Sequence, residues 1–103
     1  MNESNIPQEL SIELSEEVAE GTYSNLAIIT HSNTEFVIDF IRVMPGIPKA
    51  KVKSRIILTP EHAKRFMSAM KDNIVKYESV HGKISTHDEP PFPMNFGGPT
   101  AEA

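Results

Sequence analysis

The sequence contains no cysteine. This absence excludes a disulfide framework, a metal site built on thiolates and a cysteine nucleophile. No apolar run approaches the roughly 20 residues that span a bilayer, and the N-terminus lacks the basic region and apolar core of a secretory signal. We therefore expect a cytoplasmic protein with no membrane association.

A surplus of basic residues is also missing. The 103 residues include 14 acidic and 10 basic side chains, which give a net charge of −4. This balance argues against general electrostatic binding to nucleic acid or to an anionic membrane. The hydrophobic fraction of 39% is that of a globular protein, and the length suits a single domain.

Proline and glycine divide the chain into three parts. Residues 1–8 are polar and are predicted to form a flexible N-terminal arm. Residues 9–84 alternate between apolar runs and turn signals, and they form the one predicted domain. Residues 85–103 are too rich in proline and glycine for a helix or a central strand. This tail is either an extended peptide that docks a partner or disordered chain.

Alternation of apolar and polar residues predicts four strands. They cover residues 9–14, 22–31, 35–43 and 51–58. The turn signal at residues 31–34 separates the second strand from the third, so these two are expected to form a hairpin. The segment 44–48 holds two prolines and cannot continue a ladder of hydrogen bonds.

A long helix is predicted after the fourth strand. Thr59 supplies a capping hydroxyl, Pro60 fits the first helical position and Gly82 is a stop signal. Between them, six apolar residues recur at offsets of three and four: Ala63, Phe66, Met67, Met70, Ile74 and Tyr77. The predicted fold is α+β, an antiparallel four-stranded sheet (mostly a meander) with one long C-terminal helix packed on one face.

Both faces of the predicted hairpin are apolar. One face is expected to hold Leu26, Ile28, Phe36, Ile38 and Phe40. The other is expected to hold Ala27, Ile29, Val37 and Ile41. Because one helix covers one face, the second face is predicted to be an interface between copies in a homodimer or larger homo-oligomer. The alternative is that the arm or the tail folds back over it, with Phe92, Met94 and Phe96 as candidates.

Asp39 lies among these apolar residues. An ionised carboxylate there needs a partner. It is either a catalytic or ligand-binding acid, or a structural aspartate bonded to Arg42, Arg55 or His31. We favour the structural interpretation, since no second catalytic group is recognisable beside it.

Motifs that carry chemistry are few. There is no glycine-rich phosphate loop and no nucleophile elbow, and the four histidines lack the spacing of a zinc site. The acidic residues Glu16, Glu17 and Glu20 are interpreted as a solvated loop. We expect no catalytic residue, no metal and no cofactor, and hence a protein that is not an enzyme.

One local stripe of basic residues stands out against the acidic total. It consists of Lys49, Lys51, Lys53 and Arg55. The last three alternate with other residues and are predicted to line one face of the fourth strand, where they could bind nucleic acid or an acidic partner. The stripe lacks interleaved aromatic residues, and lysine also protects a sheet edge from aggregation, so we favour a solvated edge.

Several blocks of sequence carry a resemblance to a known family. They include Gly21-Thr22-Tyr23-Ser24-Asn25, the Glu-Phe-x-x-Asp-Phe block at residues 35–40, and the stretch 55–65. Over residues 9–84 the chain is similar to the bacterial and archaeal domain-of-unknown-function 3467 family. The family has no established activity, so the resemblance implies no catalytic residues. It marks five characteristic positions: Tyr23, Asn25, Phe36, Asp39 and Phe40.

Two of these positions are polar, and we expect a contact between them. Asn25 and Asp39 have the same parity on paired strands, which predicts a buried polar contact across the hairpin.

Three functional hypotheses follow. The leading one is a non-enzymatic binding or adaptor protein that acts as a homo-oligomer through its sheet and has an unidentified protein partner. The second is a small chaperone, because the order of four strands and a long helix is similar to that of the bacterial export chaperone SecB; this is a fold-level analogy. The third is a nucleic-acid-associated protein that uses the basic residues at 49–55.

Overall fold

The computed structural model describes residues 9–86. Two helices and three strands form there: α1 (Glu16–Ala19), β1 (Leu26–His31), β2 (Phe36–Arg42), β3 (Lys51–Leu58) and α2 (Pro60–His81). The strands make one antiparallel sheet in the order β1-β2-β3. The predicted α+β class, antiparallel sheet and long C-terminal helix are therefore confirmed. The predicted arm at 1–8, and the predicted tail beyond its first two residues, lie outside the described part of the chain.

The sheet has three strands within residues 9–86 rather than the four predicted. Residues 10–14, which belong to the predicted first strand, have no regular secondary structure. Leu10, Ile12 and Leu14 are 70%, 85% and 71% exposed. The alternating pattern is present, but a strand exists only through hydrogen bonds to a neighbouring strand, and this segment pairs with none of the described strands.

The hairpin between β1 and β2 forms as predicted, and Ser32 closes its turn. The Ser32 hydroxyl accepts hydrogen bonds from the N–H groups of Thr34 (3.2 Å) and Glu35 (3.3 Å). The Ser32 N–H in turn donates to the Glu35 carbonyl at 2.9 Å. The side chain thus takes over the hydrogen bonding that the backbone loses in the turn.

The helix α2 begins and ends at the residues that the sequence indicates. The Thr59 hydroxyl accepts a hydrogen bond from the His62 N–H at 3.1 Å, and Pro60 occupies the first turn. Gly82 follows the last helical residue with φ of +93°, which a residue with a side chain rarely adopts, and its N–H donates to the Glu78 carbonyl at 3.0 Å.

The predicted packing of this helix on a face of the sheet is absent from the single chain. No residue of α2 is buried, and Phe66, Met67 and Met70 are 45%, 64% and 52% exposed. The helix approaches the sheet chiefly at β3, the strand that precedes it. Only Thr59 separates β3 from α2, which is shorter than the loops that usually return a helix over its sheet.

The core of the single chain is correspondingly small. Among the described residues, only Ile28, Ile38, Asp39 and Ile41 are buried. All four lie in the first two strands, and β2 supplies three of them. Folded alone, the chain therefore leaves most apolar side chains of residues 9–86 at least partly in water, which a stable domain rarely does.

Candidate functional site

The register of the strands decides which side chains share a face of the sheet. Ile38 on β2 lies opposite Ile29 on β1 and Ile56 on β3. Residues directly opposite one another in an antiparallel pair point to the same side. We call this side the apolar face. It consists of Ala27, Ile29, His31, Phe36, Ile38, Phe40, Ser54, Ile56 and Leu58.

The other side of the sheet is centred on Asp39. This residue lies opposite Ile28 on β1 and Arg55 on β3. We call this side the ion-pair face. It consists of Leu26, Ile28, Thr30, Val37, Asp39, Ile41, Val52, Arg55 and Ile57.

This arrangement corrects the predicted grouping of the interface residues. Ala27 and Ile29 lie on the apolar face, whereas Val37 and Ile41 lie on the ion-pair face. Residues of equal parity on the two strands do not share a face, because the register pairs each odd-numbered residue of β1 with an even-numbered residue of β2.

The apolar face is incompletely covered. Its central Ile38 is 8% exposed, but Ile29 and Ile56, its neighbours on the two edge strands, are 42% and 43% exposed. At one end of this face the His31 ring stacks on Phe36 with 5.3 Å between the ring centroids. The nine residues of the face include no acid, lysine or arginine, and the two charged residues at 42 and 51 lie at one end of the same side, away from its centre.

The ion-pair face holds a bidentate pair at its centre. Arg55 donates from Nε to Asp39 Oδ1 at 2.6 Å and from Nη2 to Oδ2 at 2.8 Å. The Asp39 side chain is 3% exposed and that of Arg55 is 59% exposed. Of the three partners predicted for Asp39, the structure selects Arg55. The two parallel hydrogen bonds are the strongest arrangement available to these side chains.

The pairing sets the ionisation of both groups. The hydrogen bonds and the charge of Arg55 hold the pKa of the Asp39 carboxyl below its usual value, against the opposing effect of burial. The same contact raises the pKa of Arg55. A carboxylate that is ionised and doubly hydrogen-bonded is a poor general acid or base near neutral pH. The geometry therefore favours a structural role for Asp39.

Asn25 does not form the buried contact with Asp39 that we predicted. It is exposed, and its side chain bonds the backbone of Val43 instead. Nδ2 donates to the Val43 carbonyl at 3.0 Å, and Oδ1 accepts from the Val43 N–H at 2.8 Å. The amide side chain thus extends the β1–β2 ladder by one more pair of hydrogen bonds beyond its last backbone pair.

The basic residues do not line one face as predicted, because β3 contains a bulge. The register shifts between Phe40, opposite Ser54, and Ile41, opposite Val52, which leaves Lys53 without a partner on β2. Lys51 lies opposite Arg42 and so belongs to the side of the apolar face, whereas Arg55 is on the ion-pair face. The fourth residue, Lys49, precedes β3.

Other kinds of site are not evident in the described part of the chain. Within residues 9–86, no three side chains of the types that ligate metals come together. Every buried side-chain nitrogen or oxygen in the same range has a hydrogen-bond partner. Neither described helix is long and apolar enough to cross a bilayer.

The sequence matches one family model, described as a protein of unknown function (DUF3467), over residues 1–86 of the 103. No curated protein and no solved structure matches the chain. The match covers β1, β2, β3 and α2, and hence both faces of the sheet. The chain therefore belongs to the DUF3467 family.

Proposed function

We propose that this chain is a non-enzymatic binding or adaptor protein that works as a homo-oligomer, with the apolar face of its sheet as the surface of self-association. The observation that carries the proposal is the exposure of Ile29 and Ile56 on either side of Ile38. A contiguous apolar patch of this kind is typical of an interface. The ion-pair face suits this role less well, because the charged pair at its centre would have to lose water.

The long helix supports the same proposal. Its apolar residues recur with a helical period, yet none is buried within one chain. Self-association through the sheet brings two helices and two apolar faces into one assembly, where each can cover part of the other. A shared core of this kind is a common solution for chains whose own core is too small.

A small chaperone is the second candidate, and one specific observation favours it. Met67, Met70 and Tyr77 on α2 are each more than half exposed. Flexible methionine side chains adapt to apolar surfaces of varied shape, which suits a protein that binds unfolded clients. Suppression of the aggregation of an unfolded client at stoichiometric ratios supports this candidate, and no suppression removes it.

A pair of variants tests the proposed surface. Ile29→Lys places a charge on the apolar face, and Ile57→Lys places the same charge on the ion-pair face at a site that is 55% exposed. Because each copy loses an apolar contact worth about 1.5–3 kcal/mol, we expect Ile29→Lys to weaken the dimer by at least about 100-fold. The control should self-associate like the wild type. Equal behaviour of the two variants in sedimentation would contradict the assignment of the face.

A further inference from the structure

Residues 9–14 have the alternating pattern of a strand but pair with no strand in the described part of the chain. Leu10, Ile12 and Leu14 alternate with Glu9, Ser11 and Glu13, as in a strand with one apolar and one polar side. The three aliphatic side chains are the most exposed run of their kind in the described chain, at 70–85%. The sheet has two edges without a neighbour among the described residues, β1 and β3.

We propose that residues 9–14 of one copy add to the free edge of β3 in a second copy, as the fourth strand of its sheet. The inference rests on the proposed homo-oligomer and adds a second contact, at the edge of the sheet, to the contact through the apolar face. An extended segment that adds to a sheet edge gives hydrogen-bond partners to the free backbone groups of that edge and lines up the side chains of the two strands. The alternating pattern that lacks a partner in one chain then acquires one from its neighbour.

Charge selects β3 over β1. The segment carries two acids and no base, whereas β3 carries Lys51, Lys53 and Arg55 and no acid. β1 has no acidic or basic residue apart from its last, His31. Cross-strand pairs of opposite charge are favourable and pairs of like charge are unfavourable. The lysines of β3 discourage uncharged or basic strands from pairing with this edge, but they favour an acidic one.

The two sides of the segment also match the two sides of β3. On the apolar face, β3 contributes Ser54, Ile56 and Leu58. Leu10, Ile12 and Leu14 would lie beside them and enlarge that face. Glu9 and Glu13 would then lie on the opposite side, which is the side of Arg55 and, by alternation from Ser54, of the bulge residue Lys53. Next to β1, the same acids would lie beside aliphatic residues of the ion-pair face.

The connectivity favours a second copy over the same chain. Residues 15–25, including α1, join the segment to β1, which is the edge farthest from β3. To reach its own β3 the chain would have to cross the whole sheet, and the structure shows no such pairing. A second copy offers the same edge without that crossing, and a two-fold arrangement lets each copy give one strand and receive one.

Reversed charges test the proposal. One variant, Glu9→Lys with Glu13→Lys, is basic in the segment. The other, Lys51→Glu with Lys53→Glu, is acidic in β3, and Arg55 is kept because it holds Asp39. Position 53 is the main contact tested, because it lies on the side proposed for Glu9 and Glu13, whereas Lys51 lies on the other side and adds only a longer-range charge. Each variant alone sets like charges against each other around position 53 at both exchanged strands. We therefore expect the dissociation constant of each to rise about tenfold or more. In an equimolar mixture both exchanged contacts join opposite charges again, so the mixture should associate like the wild type.

Two charge-matched controls accompany these variants. Glu16→Lys with Glu17→Lys changes the same charge within α1, and Lys64→Glu with Lys71→Glu does so on exposed positions of α2. Both should associate nearly as the wild type does. Hydrogen exchange adds a direct readout, because alternate amides within residues 10–14, those that face β3, should be protected in the wild-type oligomer and exposed in either single variant.

The outcomes separate this proposal from the proposed function. A wild type that associates while both charge variants associate equally well overturns the strand exchange and leaves the self-association intact. One further variant carries all four changes in a single chain. If this variant regains wild-type association while the mixture does not, residues 9–14 pair with β3 of their own chain, and the exchange with a second copy is overturned. A monomeric wild type overturns the proposed homo-oligomer, and the strand exchange with it.

Discussion

Asp39 and Arg55 face one another across β2 and β3 and are joined by two hydrogen bonds of 2.6 and 2.8 Å. The acid is buried and the base is half exposed, so the arginine side chain covers the carboxylate on the side that faces water. The pair therefore fixes the two strands in register and allows a carboxylate to lie beside Ile28. It is the polar centre of an otherwise aliphatic region of the sheet.

Removal of Arg55 should destabilise the protein more than removal of the pair. Arg55→Met leaves Asp39 buried without a donor, and we expect the melting temperature to fall by about 5 °C. The double variant Asp39→Leu with Arg55→Met replaces both groups with apolar ones and should recover most of that loss. Calorimetry at one protein concentration measures both. A double variant less stable than Arg55→Met would contradict this account of the pair.

A fall in pH should weaken the contribution of the Asp39–Arg55 pair to the free energy of unfolding. Because the pKa of Asp39 is lower in the folded chain than in the unfolded one, its stabilising effect is complete above the unfolded value of about 3.9 and is lost as the pH falls through the folded value. Urea midpoints of the wild type should therefore exceed those of Asp39→Asn at pH 7, and the difference should shrink below about pH 4. A difference that stays constant from pH 7 to pH 3 would show that the charge of Asp39 is unimportant.

Asn25 should hold one end of the β1–β2 ladder. Asn25→Ala removes both the acceptor for the Val43 N–H and the donor to its carbonyl. We expect a loss of about 1–2 kcal/mol in the free energy of unfolding, since two hydrogen bonds at an exposed site are removed. Amide exchange should accelerate at Val43 and stay unchanged at Glu35, in the turn at the other end of the hairpin. Equal acceleration at both amides would mean a global effect instead.

The hydroxyl of Thr59 should stabilise α2. Thr59→Ala removes the acceptor for the His62 N–H, at an expected cost of about 1 kcal/mol. Ser68→Ala, at an exposed position within the same helix, is the control and should change stability little or slightly raise it. Helical circular dichroism and urea unfolding measure both. Equal stability of Thr59→Ala and the wild type would show that the cap is dispensable.

The sequence predicts local features of this fold better than contacts between distant residues. The ends of α2 follow from Thr59 and Gly82, whose hydrogen bonds form within one turn, and from Pro60, whose fixed φ suits the first turn. The hairpin turn follows from Ser32 for the same reason. The helix α1 was missed, although Ser15 before two acids is a capping signal, because four residues are too few to show a helical period.

The faces of the sheet were harder to predict, because they depend on register. A shift of one residue between β1 and β2 moves Val37 and Ile41 to the opposite face, and the sequence of the turn does not fix that shift. The bulge at Lys53 likewise cannot be identified from alternation alone, and it separates Lys51 from Arg55. The pairing of Asp39 with Arg55 was among the predicted options but could be selected only from the register.

The mass of the wild-type protein in sedimentation equilibrium at micromolar concentration tests the central claim most directly. The chain has a mass of 11.5 kDa, and self-association through the apolar face predicts twice that mass or a higher multiple. A particle of 11.5 kDa that stays folded at this concentration would contradict the proposed homo-oligomer.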